Sequence, residues 1–465
     1  MALFLGTLCN CCVLLLFSTL SFSLCVLGIK LDVEFVVSMR PLQPSTVCSS
    51  SKDSNLSRLT VVHRYGPCSP LWKEEKPSHK QIINNDQARV DSLQHRRLST
   101  AFNIAGRGGL RAVSVPAHTG DIVGTSNYIM NAGIGTPKQD FSVEFDTGSD
   151  LSWLQCKPCN HCYPQNDPLF DPAKSSTYSS IHCGSAECAQ LDPARCSAGR
   201  TCRYEIQYDD KSRSSGNFSH DTLTLSPWDL LPNFRFGCGD HNRGSFGRVA
   251  GLIGLGRGES SLISQASQKY REIFSYCLPS IASSTGYLLV GSTGSPPAGI
   301  RYTPMIREAS DPSTYYVKLV AIKVGGKKLD INQKVFSTAR TLMDSGTVIT
   351  RLPPAAFSGM RAVFRRHMAN YTTAPADYEL DTCYNLSGHE VVKVPAVELV
   401  FDGGASLNLD IDGIMFGEPA QSCLAFAGNS NDQQLSIIGN TQQVKVTVVY
   451  DISNQRIGIG AKGCS

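Results

Sequence analysis

Charge is scarce in this sequence, and no basic cluster occurs in it. Only 18% of the 465 residues are charged, and no run of Lys and Arg is longer than two residues. Residues 1–117 hold 13 Lys and Arg against 7 Asp and Glu, a net +6, which leaves 30 against 32, a net −2, for residues 118–465. Because nucleic-acid binding needs concentrated positive charge, no nucleic-acid partner is expected.

The signatures of several enzyme classes are also missing. There is no Gly-x-Ser-x-Gly elbow and no dinucleotide-binding glycine spacing, and His389-Glu-Val-Val-Lys393 lacks the second histidine of a zinc-protease helix. Glycine and proline are plentiful without a repeat period, and the mean hydropathy is only −0.12, which excludes collagen-like and polytopic membrane classes. We expect a turn-rich soluble protein that holds no metal and no cofactor.

Long apolar runs are lacking except at the N-terminus. The run Val13–Phe17 with its flanks has the length of a signal-peptide core, and Ser21-Phe-Ser23 offers a cleavage site, so residues 1–23 are interpreted as a signal peptide. No Lys or Arg precedes Lys30, which keeps an uncleaved anchor as an alternative. We expect a secreted monomer without stable membrane insertion after signal removal, with the vacuole or the plastid as other destinations.

Cysteine, by contrast, is abundant. Eighteen cysteines occur, and twelve of them, an even number, lie between Cys156 and Cys464. In a secreted chain disulfides are the expected state of these residues. The run Cys156-x2-Cys159-x2-Cys162 leaves zinc binding as an alternative, whereas an iron–sulfur run would need a fourth cysteine where Asn166 stands.

Residues 24–117 have the composition of a propeptide. They are polar and basic, with one helical candidate at Ser78–Arg97, in which Ile83, Val90 and Leu93 recur at roughly helical spacing. Ala105-Gly-Arg-Gly-Gly109 then resembles a flexible, cleavable linker. We therefore interpret this segment as a propeptide rather than a catalytic domain.

Beyond the linker, short apolar or alternating runs separated by turn residues predict an all-β protein. The clearest predicted strands are Tyr128–Ile134, Phe141–Phe145, Thr222–Leu225, Gly286–Val290, Tyr315–Val324 and Val444–Asp451. Only two helices are predicted here, Ser260–Phe274 and Pro353–Met368.

An internal repeat is the most informative feature of the sequence. Apolar residues precede Asp146-Thr-Gly-Ser149, and Gly251-Leu-Ile-Gly254 follows; in the second half, apolar residues precede Asp344-Ser-Gly-Thr347, and Ser436-Ile-Ile-Gly439 follows. A single Asp-Thr-Gly is an ordinary turn. Two copies 198 residues apart with matched surroundings predict two similar β-lobes that each donate one aspartate.

Two such carboxylates suit the hydrolysis of a peptide bond by an activated water. Neighbouring carboxylates do not both ionise readily, so they share a proton and titrate as a pair. One of them takes a proton from water while its protonated partner polarises the scissile carbonyl. Glycine allows the tight turn after each aspartate, and the Thr or Ser hydroxyl can hold a carboxylate in place.

The motifs together resemble those of pepsin-family aspartic proteases of the plant nepenthesin-like type. The resemblance covers residues 118–465 and rests on these segments in order: Asp146-Thr-Gly-Ser-Asp-Leu-Ser-Trp153, Tyr208, Gly251-Leu-Ile-Gly-Leu-Gly256, Asp344-Ser-Gly-Thr347 and Ile437-Ile-Gly-Asn440. His63-Arg-Tyr-Gly-Pro-Cys-Ser-Pro70 also resembles a propeptide motif of this branch. The resemblance implies a bilobal, all-β enzyme, with lobes at residues 118–300 and 301–465 and the substrate cleft between them.

The resemblance assigns roles to individual residues. Asp146 and Asp344 are the implied catalytic pair, Tyr208 lies on a flap over the substrate, and Trp153 contacts or packs behind it. Three further residues are assigned to the substrate-binding set, namely Gly148, Gly346 and Thr347. At the flap the chain departs from the family, because Tyr208-Asp-Asp-Lys211 stands where relatives usually have Tyr-Gly-Asp-Gly.

The same resemblance implies a disulfide pairing that spacing alone does not choose. The implied bridges are Cys156–Cys238, Cys159–Cys162, Cys183–Cys202, Cys188–Cys196, Cys277–Cys464 and Cys383–Cys423. Secretion would also make three Asn-x-Ser/Thr sites candidates for glycosylation, at Asn217, Asn370 and Asn385.

These observations predict an endopeptidase that cleaves proteins or peptides at acidic pH and is made as an inactive precursor. One alternative is a catalytically silent inhibitor or binding protein on the same fold. Another is a plastid nucleoid protease that also binds DNA, which the net −2 of residues 118–465 argues against.

Overall fold

The computed structural model describes most of the chain after the predicted signal peptide, which lies outside the described residues. The described residues are 33–38, 48, 58–71, 77–105, 128–191, 194–207, 212–227, 229–244, 246–280, 285–291, 299–309, 311–338, 340–461 and 463–464. Within the predicted propeptide, the predicted helix and the His63–Pro70 motif therefore fall within the described part, whereas residues 106–109 of the predicted linker lie outside it.

Strands dominate the described residues, as the turn-rich sequence predicts. In the first part of the chain they are β1 Glu34–Ser38, β2 Arg58–His63, β3 Tyr128–Ile134, β4 Gln139–Asp146, β5 Trp153–Gln155, β6 Ser179–Ser180, β7 Arg195–Cys196, β8 Cys202–Gln207, β9 Arg213–Ser226, β10 Asp229–Arg243, β11 Gly251–Gly254, β12 Ile273–Cys277, β13 Gly286–Val290 and β14 Arg301–Pro304.

The second part of the chain adds shorter strands. They are β15 Tyr316–Val317, β16 Leu319–Val324, β17 Lys327–Lys328, β18 Thr341–Met343, β19 Thr350–Leu352, β20 Thr372–Ala374, β21 Cys383–Asn385, β22 Val391–Pro395, β23 Val397–Phe401, β24 Ser406–Asn408, β25 Met415–Glu418, β26 Gln421–Leu424, β27 Phe426–Gly428, β28 Ser436–Ile438, β29 Val446–Asp451 and β30 Arg456–Ala461.

One long sheet runs through the molecule. Its strand order is β14-β30-β29-β12-β13-β2-β3-β4-β11-β5-β10-β9-β8-β7, with β6 paired to β9. Smaller sheets of the second half have the orders β15-β18-β28-β19-β27, β17-β16-β23-β24 and β20-β21-β26-β25. The large apolar core draws on residues from both halves of the chain.

The internal repeat folds into two equivalent strand arrangements. β4 runs parallel to β11, with Asp146 opposite Gly254, and β18 runs parallel to β28, with Met343 opposite Ile438. A backbone bond joins the strands at each aspartate, from Leu255 N to Asp146 O at 2.8 Å in the first half and from Asp344 N to Ile438 O at 3.2 Å in the second. Each half therefore delivers one aspartate at the end of a buried strand.

The helices of the described residues are α1 His79–Ala105, α2 Leu262–Tyr270, α3 Lys334–Thr338, α4 Pro354–His367 and α5 Ile411–Ile414. Three of these helices lie close to predicted positions, whereas the short helices α3 and α5 were not predicted, and the end of the predicted helix Ser260–Phe274 is wrong because Ile273 and Phe274 belong to strand β12. The side chain of Ser261 caps α2 by accepting from Ser264 N at 3.2 Å, so the helix begins later than the predicted Ser260. Proline at its first turn starts α4.

The predicted propeptide is built into the rest of the fold at three places. β1 pairs with β22 of the second half. β2 lies inside the long sheet, paired with β13 on one side and β3 on the other. The helix α1 packs against the second half through Ile83, Val90 and Leu93.

The motif after β2 is fixed by a buried ion pair. Arg64 contacts Glu144 of β4 at 2.9 Å, with side-chain exposures of 1% and 3%, and donates to the carbonyl of Phe246 at 2.6 Å. A Cβ atom at Gly247 would collide with the Arg64 guanidinium, and Gly247 has φ +61°, so glycine is required there. Arg64 therefore ties the predicted propeptide to the first half.

The twelve cysteines after residue 155 form six disulfides, but two of the implied bridges are wrong. The structure has Cys183–Cys196 and Cys188–Cys202 instead of Cys183–Cys202 and Cys188–Cys196. Cys188 and Cys202 are both buried, whereas Cys183 and Cys196 are not, so each bridge joins partners of similar depth. The remaining bridges are Cys156–Cys238, Cys159–Cys162, Cys277–Cys464 and Cys383–Cys423, and Cys48–Cys68 adds one in the predicted propeptide.

The bridges also decide against zinc at the cysteine run. All three sulfurs of that run, in Cys156, Cys159 and Cys162, are bonded to other sulfurs. Among the described residues no group of His, Cys, Asp and Glu is arranged to hold a metal ion.

Candidate active site

Asp146 and Asp344 end β4 and follow β18, and both are buried, with 1% and 0% of their surface exposed. Each carboxylate is held by the backbone of its own turn. Gly148 N donates to Asp146 Oδ1 at 2.9 Å, and Gly346 N donates to Asp344 Oδ1 at 3.1 Å. These bonds fix the carboxylates at the meeting point of the two halves.

The two glycines also allow the loops to approach each other. A Cβ atom at Gly148 would lie 3.1 Å from Asp344 Oδ1, and one at Gly346 would lie 2.7 Å from Asp146 Oδ1. Each glycine thus faces the carboxylate of the opposite loop, where a side chain would crowd it. The structure places Gly148 and Gly346 against the carboxylates, so their assignment to substrate binding stays a prediction.

Thr347 contacts Asp344 directly. Its amide donates to Asp344 Oδ2 at 3.0 Å and its hydroxyl donates to the same oxygen at 2.5 Å. Thr347 therefore orients a carboxylate, as its hydroxyl chemistry predicts, and any contact with substrate stays a prediction.

The helix α1 covers the two aspartates with a single arginine. Arg89 Nη2 lies 2.9 Å from Asp146 Oδ1 and 3.0 Å from Asp344 Oδ2, and Arg89 Nε donates to Asp344 Oδ2 at 3.1 Å. One guanidinium therefore occupies the space in front of both carboxylates.

Arg89 sets the electrostatics of the pair. Burial alone would raise the pKa of Asp146, but the positive charge of Arg89 and the amide of Gly148 lower it by more, so the pKa is lowered. Asp146 is therefore held in its charged form while α1 is docked.

One turn before Arg89, Asp86 makes a second polar contact with the cleft. Its carboxylate accepts from Val348 N at 2.6 Å and from Ile349 N at 3.0 Å, and it lies 3.2 Å from Arg351 Nη2. The Asp86 and Arg351 side chains are 0% and 1% exposed. Burial raises the pKa of Asp86, and Arg351 and the two amides offset only part of that effect.

Polar contacts extend along the rest of the helix. Gln87 Oε1 accepts from Arg351 Nη2 at 3.0 Å, and Gln94 pairs with the backbone of Leu435 in both directions. Together with the apolar contacts of Ile83, these bonds hold α1 along the second half of the cleft.

Sequence reasoning missed Asp86, Arg89 and Arg351 as parts of this site. A usable signal was present, because Asp86 stands on the same helical face as Ile83 and Val90, three and four residues away, where an apolar residue is expected. A carboxylate at such a position is buried only with partners. The sequence does not say where those partners lie.

The flap prediction lies partly outside the described residues. β8 and β9 pair antiparallel up to Gln207 opposite Arg213, while Tyr208, Asp209 and Lys211 are not among the described residues. Trp153 is 1% exposed, and its ring lies 4.8 Å from that of Phe246, centre to centre. A contact between Trp153 and Tyr208 stays a prediction.

The candidate glycosylation sites differ in exposure. Asn370 and Asn385 are exposed. Asn217 lies half-buried within β9 and accepts a bond from Arg203 at 3.2 Å, so it is the least accessible of the three. Glycosylation stays a prediction at all three residues. No helix in the described part of the chain is long and apolar enough to cross a membrane.

Comparison with known proteins gives both a family and a fold. The family models described as Xylanase inhibitor N-terminal and Xylanase inhibitor C-terminal match residues 128–292 and 314–461. An aspartyl protease family protein of Arabidopsis thaliana is 44% identical over 429 residues, which cover 90% of each chain. Aspartic proteinase nepenthesin-2 of Nepenthes gracilis is 36% identical over 425 residues, covering 88% of this chain and 94% of the relative.

Solved structures support the fold. The crystal structure of Basic 7S globulin from soybean has a TM-score of 0.57 at 19% identity and covers 72% of this chain and 91% of that one. The crystal structure titled edgp has a TM-score of 0.59 at 18% identity, covering 73% and 92%. The predicted all-β, bilobal pepsin-like fold is confirmed, and the chain belongs to the pepsin-like aspartic protease family, in its plant nepenthesin-like branch.

Proposed function

We propose that this protein is an aspartic endopeptidase made as an inactive precursor and activated by acid. The observation that supports it most directly is the pair of buried carboxylates, Asp146 and Asp344, bridged by one guanidinium from the predicted propeptide. If Asp146 and Asp344 catalyse hydrolysis, an inactive precursor has to block both carboxylates, and Arg89 of the predicted propeptide contacts both of them.

Catalysis requires the space that Arg89 fills in the precursor. With α1 gone, one carboxylate of the pair takes a proton from an attacking water, while the protonated partner donates a hydrogen bond to the scissile carbonyl. The proton then passes to the leaving amine as the peptide bond breaks. Because Gly148, Gly346 and Thr347 donate to the carboxylates, they keep both groups in place through these steps.

Arg89 and the rest of α1 block the precursor in two ways. The guanidinium neutralises the carboxylates and occupies the site of the attacking water. The helix itself fills the second half of the cleft through Ile83 and Asp86. A peptide substrate cannot bind until the helix has left.

Acid release follows from the direction of the pKa shift at Asp146. A carboxyl whose pKa is lowered stabilises docking above its ordinary pKa, and this contribution is lost as the pH falls through the lowered value. Asp86 acts in the opposite sense, since its raised pKa favours docking at low pH. We assign acid release to Asp146 and Arg89, whose contact also involves Asp344.

The family models carry the description Xylanase inhibitor, which favours a silent binding protein as the second candidate function. Both aspartate turns are complete in this chain, with each carboxylate bonded to its glycine amide. A protein that only binds a partner has no need of a blocked, charged pair. These two features support the peptidase.

Hydrolysis of denatured globin by the purified precursor, measured over a pH series with and without pepstatin, tests the proposal. We expect cleavage only below neutral pH, abolished by pepstatin, together with loss of the propeptide and a new N-terminus between residues 113 and 124. A precursor that stays uncut and inactive at every pH, yet inhibits a xylanase, would establish the second candidate instead.

A further inference from the structure

We propose that Arg351, with the backbone amides of Val348 and Ile349, forms a carboxylate-binding subsite that takes an acidic side chain of the substrate. This inference rests on the proposed peptidase function and names a preference of its cleft. It concerns a position near the scissile bond, where an Asp or Glu of the peptide would replace Asp86 of the propeptide.

Three donors converge on one carboxylate in the precursor. Val348 N and Ile349 N donate to different oxygens of Asp86, at 2.6 Å and 3.0 Å, and Arg351 Nη2 lies 3.2 Å from Oδ2. In other proteins, carboxylates are bound by donors of this kind, namely successive backbone amides and a guanidinium directed at one point. The arrangement therefore recognises a carboxylate and not merely a negative surface.

Departure of α1 leaves these donors without their acceptors. Among the described residues, Val348 N and Ile349 N have no hydrogen-bond acceptor besides Asp86. Arg351 keeps a bond to Ile349 O at 3.2 Å but loses Asp86 and Gln87. Donors left in such a position favour a ligand that supplies the missing acceptor.

Apolar side chains surround this donor set. Ile83, one turn before Asp86, packs in a buried cluster whose members in the second half are Val348, Ile349, Leu380, Cys383, Cys423 and Ala425. Low-polarity surroundings strengthen a charged hydrogen bond relative to the same bond in water. A substrate with an apolar residue beside its acidic residue would reproduce both contacts of the helix.

The subsite lies close to the site of chemistry. Asp86 precedes Arg89 by three helical positions, about 4.5 Å along the helix axis. An extended peptide advances about 3.3 Å per residue. Since Arg89 contacts both catalytic carboxylates, the acidic residue is expected within about three residues of the scissile bond on one side.

The internal repeat shows that an arginine at this place occurs in only one of the two halves. Thr350 and Ser152 are equivalent, because the hydroxyl of each accepts the amide of the matched glycine, Gly439 at 3.0 Å and Gly254 at 3.1 Å. The next residue is Arg351 in one half and the buried Trp153 in the other. A cation at this place is therefore not required by the strand arrangement.

The test uses enzyme activated from the full-length precursor and a panel of peptides with blocked termini. Each peptide carries Asp, Asn or Lys at one of the four positions on either side of the scissile bond, and the assay is run at about pH 5, where a free Asp is ionised. We expect kcat/KM for Asp to exceed that for the isosteric Asn at least roughly tenfold at one position, with Lys poorer than either.

The variant is the double substitution Asp86→Asn, Arg351→Gln. Changing both partners avoids leaving one buried charge in the precursor, so the protein is expected to fold. After activation this variant differs from the wild-type enzyme only at residue 351. Its kcat/KM for the Asp peptide divided by that for the Asn peptide should therefore fall to about one. Precursor with Lys80→Gln, an exposed change on the same helix, is the matched control, because its activated form has the wild-type sequence and should keep the preference.

The outcomes separate this inference from the proposed function. Equal rates for Asp and Asn at every position in the wild-type enzyme would overturn the subsite while leaving the peptidase established, and so would a preference that survives in the double variant. If no peptide is cleaved at any pH, the proposed function fails and the subsite fails with it. Should the double variant not fold, the wild-type panel decides alone.

Discussion

Thr147 and Ser345 join the two aspartate turns through reciprocal hydrogen bonds. Ser345 N donates to Thr147 Oγ1 at 2.9 Å, and Thr147 N donates to Ser345 Oγ at 3.1 Å. The two residues occupy the same place in the repeat, directly after Asp146 and Asp344. The geometry of the pair is therefore set by contacts between the halves as well as by the bonds within each turn.

Thr147→Val should loosen this connection while keeping the side-chain shape. It removes an acceptor from the buried amide of Ser345, which costs about 1–3 kcal/mol in the free energy of unfolding. We also expect kcat to fall by roughly tenfold or more, because the carboxylates are less well aligned. Thermal unfolding and peptide hydrolysis measure the two effects. Thr372→Val, at an exposed strand position, is the control, and equal behaviour of both variants would refute the role of the contact.

Arg89→Gln should let the precursor convert at a higher pH. The substitution removes the charge that lowers the pKa of Asp146, so docking loses a charged contact of about 1.5–3 kcal/mol. The midpoint pH of conversion should rise by roughly one to two pH units. Densitometry of precursor and product over a pH series gives this midpoint. Lys80→Gln, at an exposed position of the same helix, should leave the midpoint pH unchanged. An unchanged midpoint pH for Arg89→Gln would contradict the proposal that Arg89 blocks the site.

Arg64→Met should destabilise the whole precursor. It removes the buried guanidinium that faces Glu144, and breaking a buried pair from one side costs about 3–5 kcal/mol. The yield and melting temperature of the precursor should both fall, and adding Glu144→Gln should restore part of the loss. Arg195→Met breaks an exposed pair with Glu205 and should cost about 1 kcal/mol or less. Equal melting temperatures for the two Met variants would contradict this account.

Peptide mapping without reduction tests the corrected disulfides. Digestion between the cysteines should yield one linked pair containing Cys183 and Cys196 and another containing Cys188 and Cys202. Recovery of Cys183 linked to Cys202 would instead restore the pairing that the family resemblance implies. The two outcomes differ in peptide mass, so mass spectrometry distinguishes them directly.

Local sequence patterns predict the strands and helices whose bounds are set by neighbouring residues. The strands Tyr128–Ile134 and Gly286–Val290 have the predicted bounds, because alternation and flanking turn residues define them. α1 extends beyond the predicted Arg97 to Ala105, since no strong stop signal follows Arg97. The two-aspartate arrangement is also predictable, because the repeat encodes it twice.

Contacts between distant segments cannot be predicted from the sequence patterns. Arg89 is 255 residues from Asp344, and no spacing rule connects them. The pairing of Cys188 with Cys202 depends on which side of a folded loop each sulfur faces, which the order of cysteines does not state. Arg351 is buried beside Asp86 of the distant helix α1, so its importance appears once both are placed together.

The most direct test of the account is the activity of Asp146→Asn and Asp344→Asn proteins on denatured globin at acidic pH. Each replacement keeps the side-chain size but removes a carboxylate, and since the pair acts as a unit, either should reduce turnover by about a thousandfold or more. To separate catalysis from self-processing, both variants are cut to the mature length by a protease added in trans. Folded variants with less than roughly a thousandth of wild-type turnover are the predicted result; a folded variant that retains a tenth of wild-type turnover would contradict the assignment of the catalytic pair.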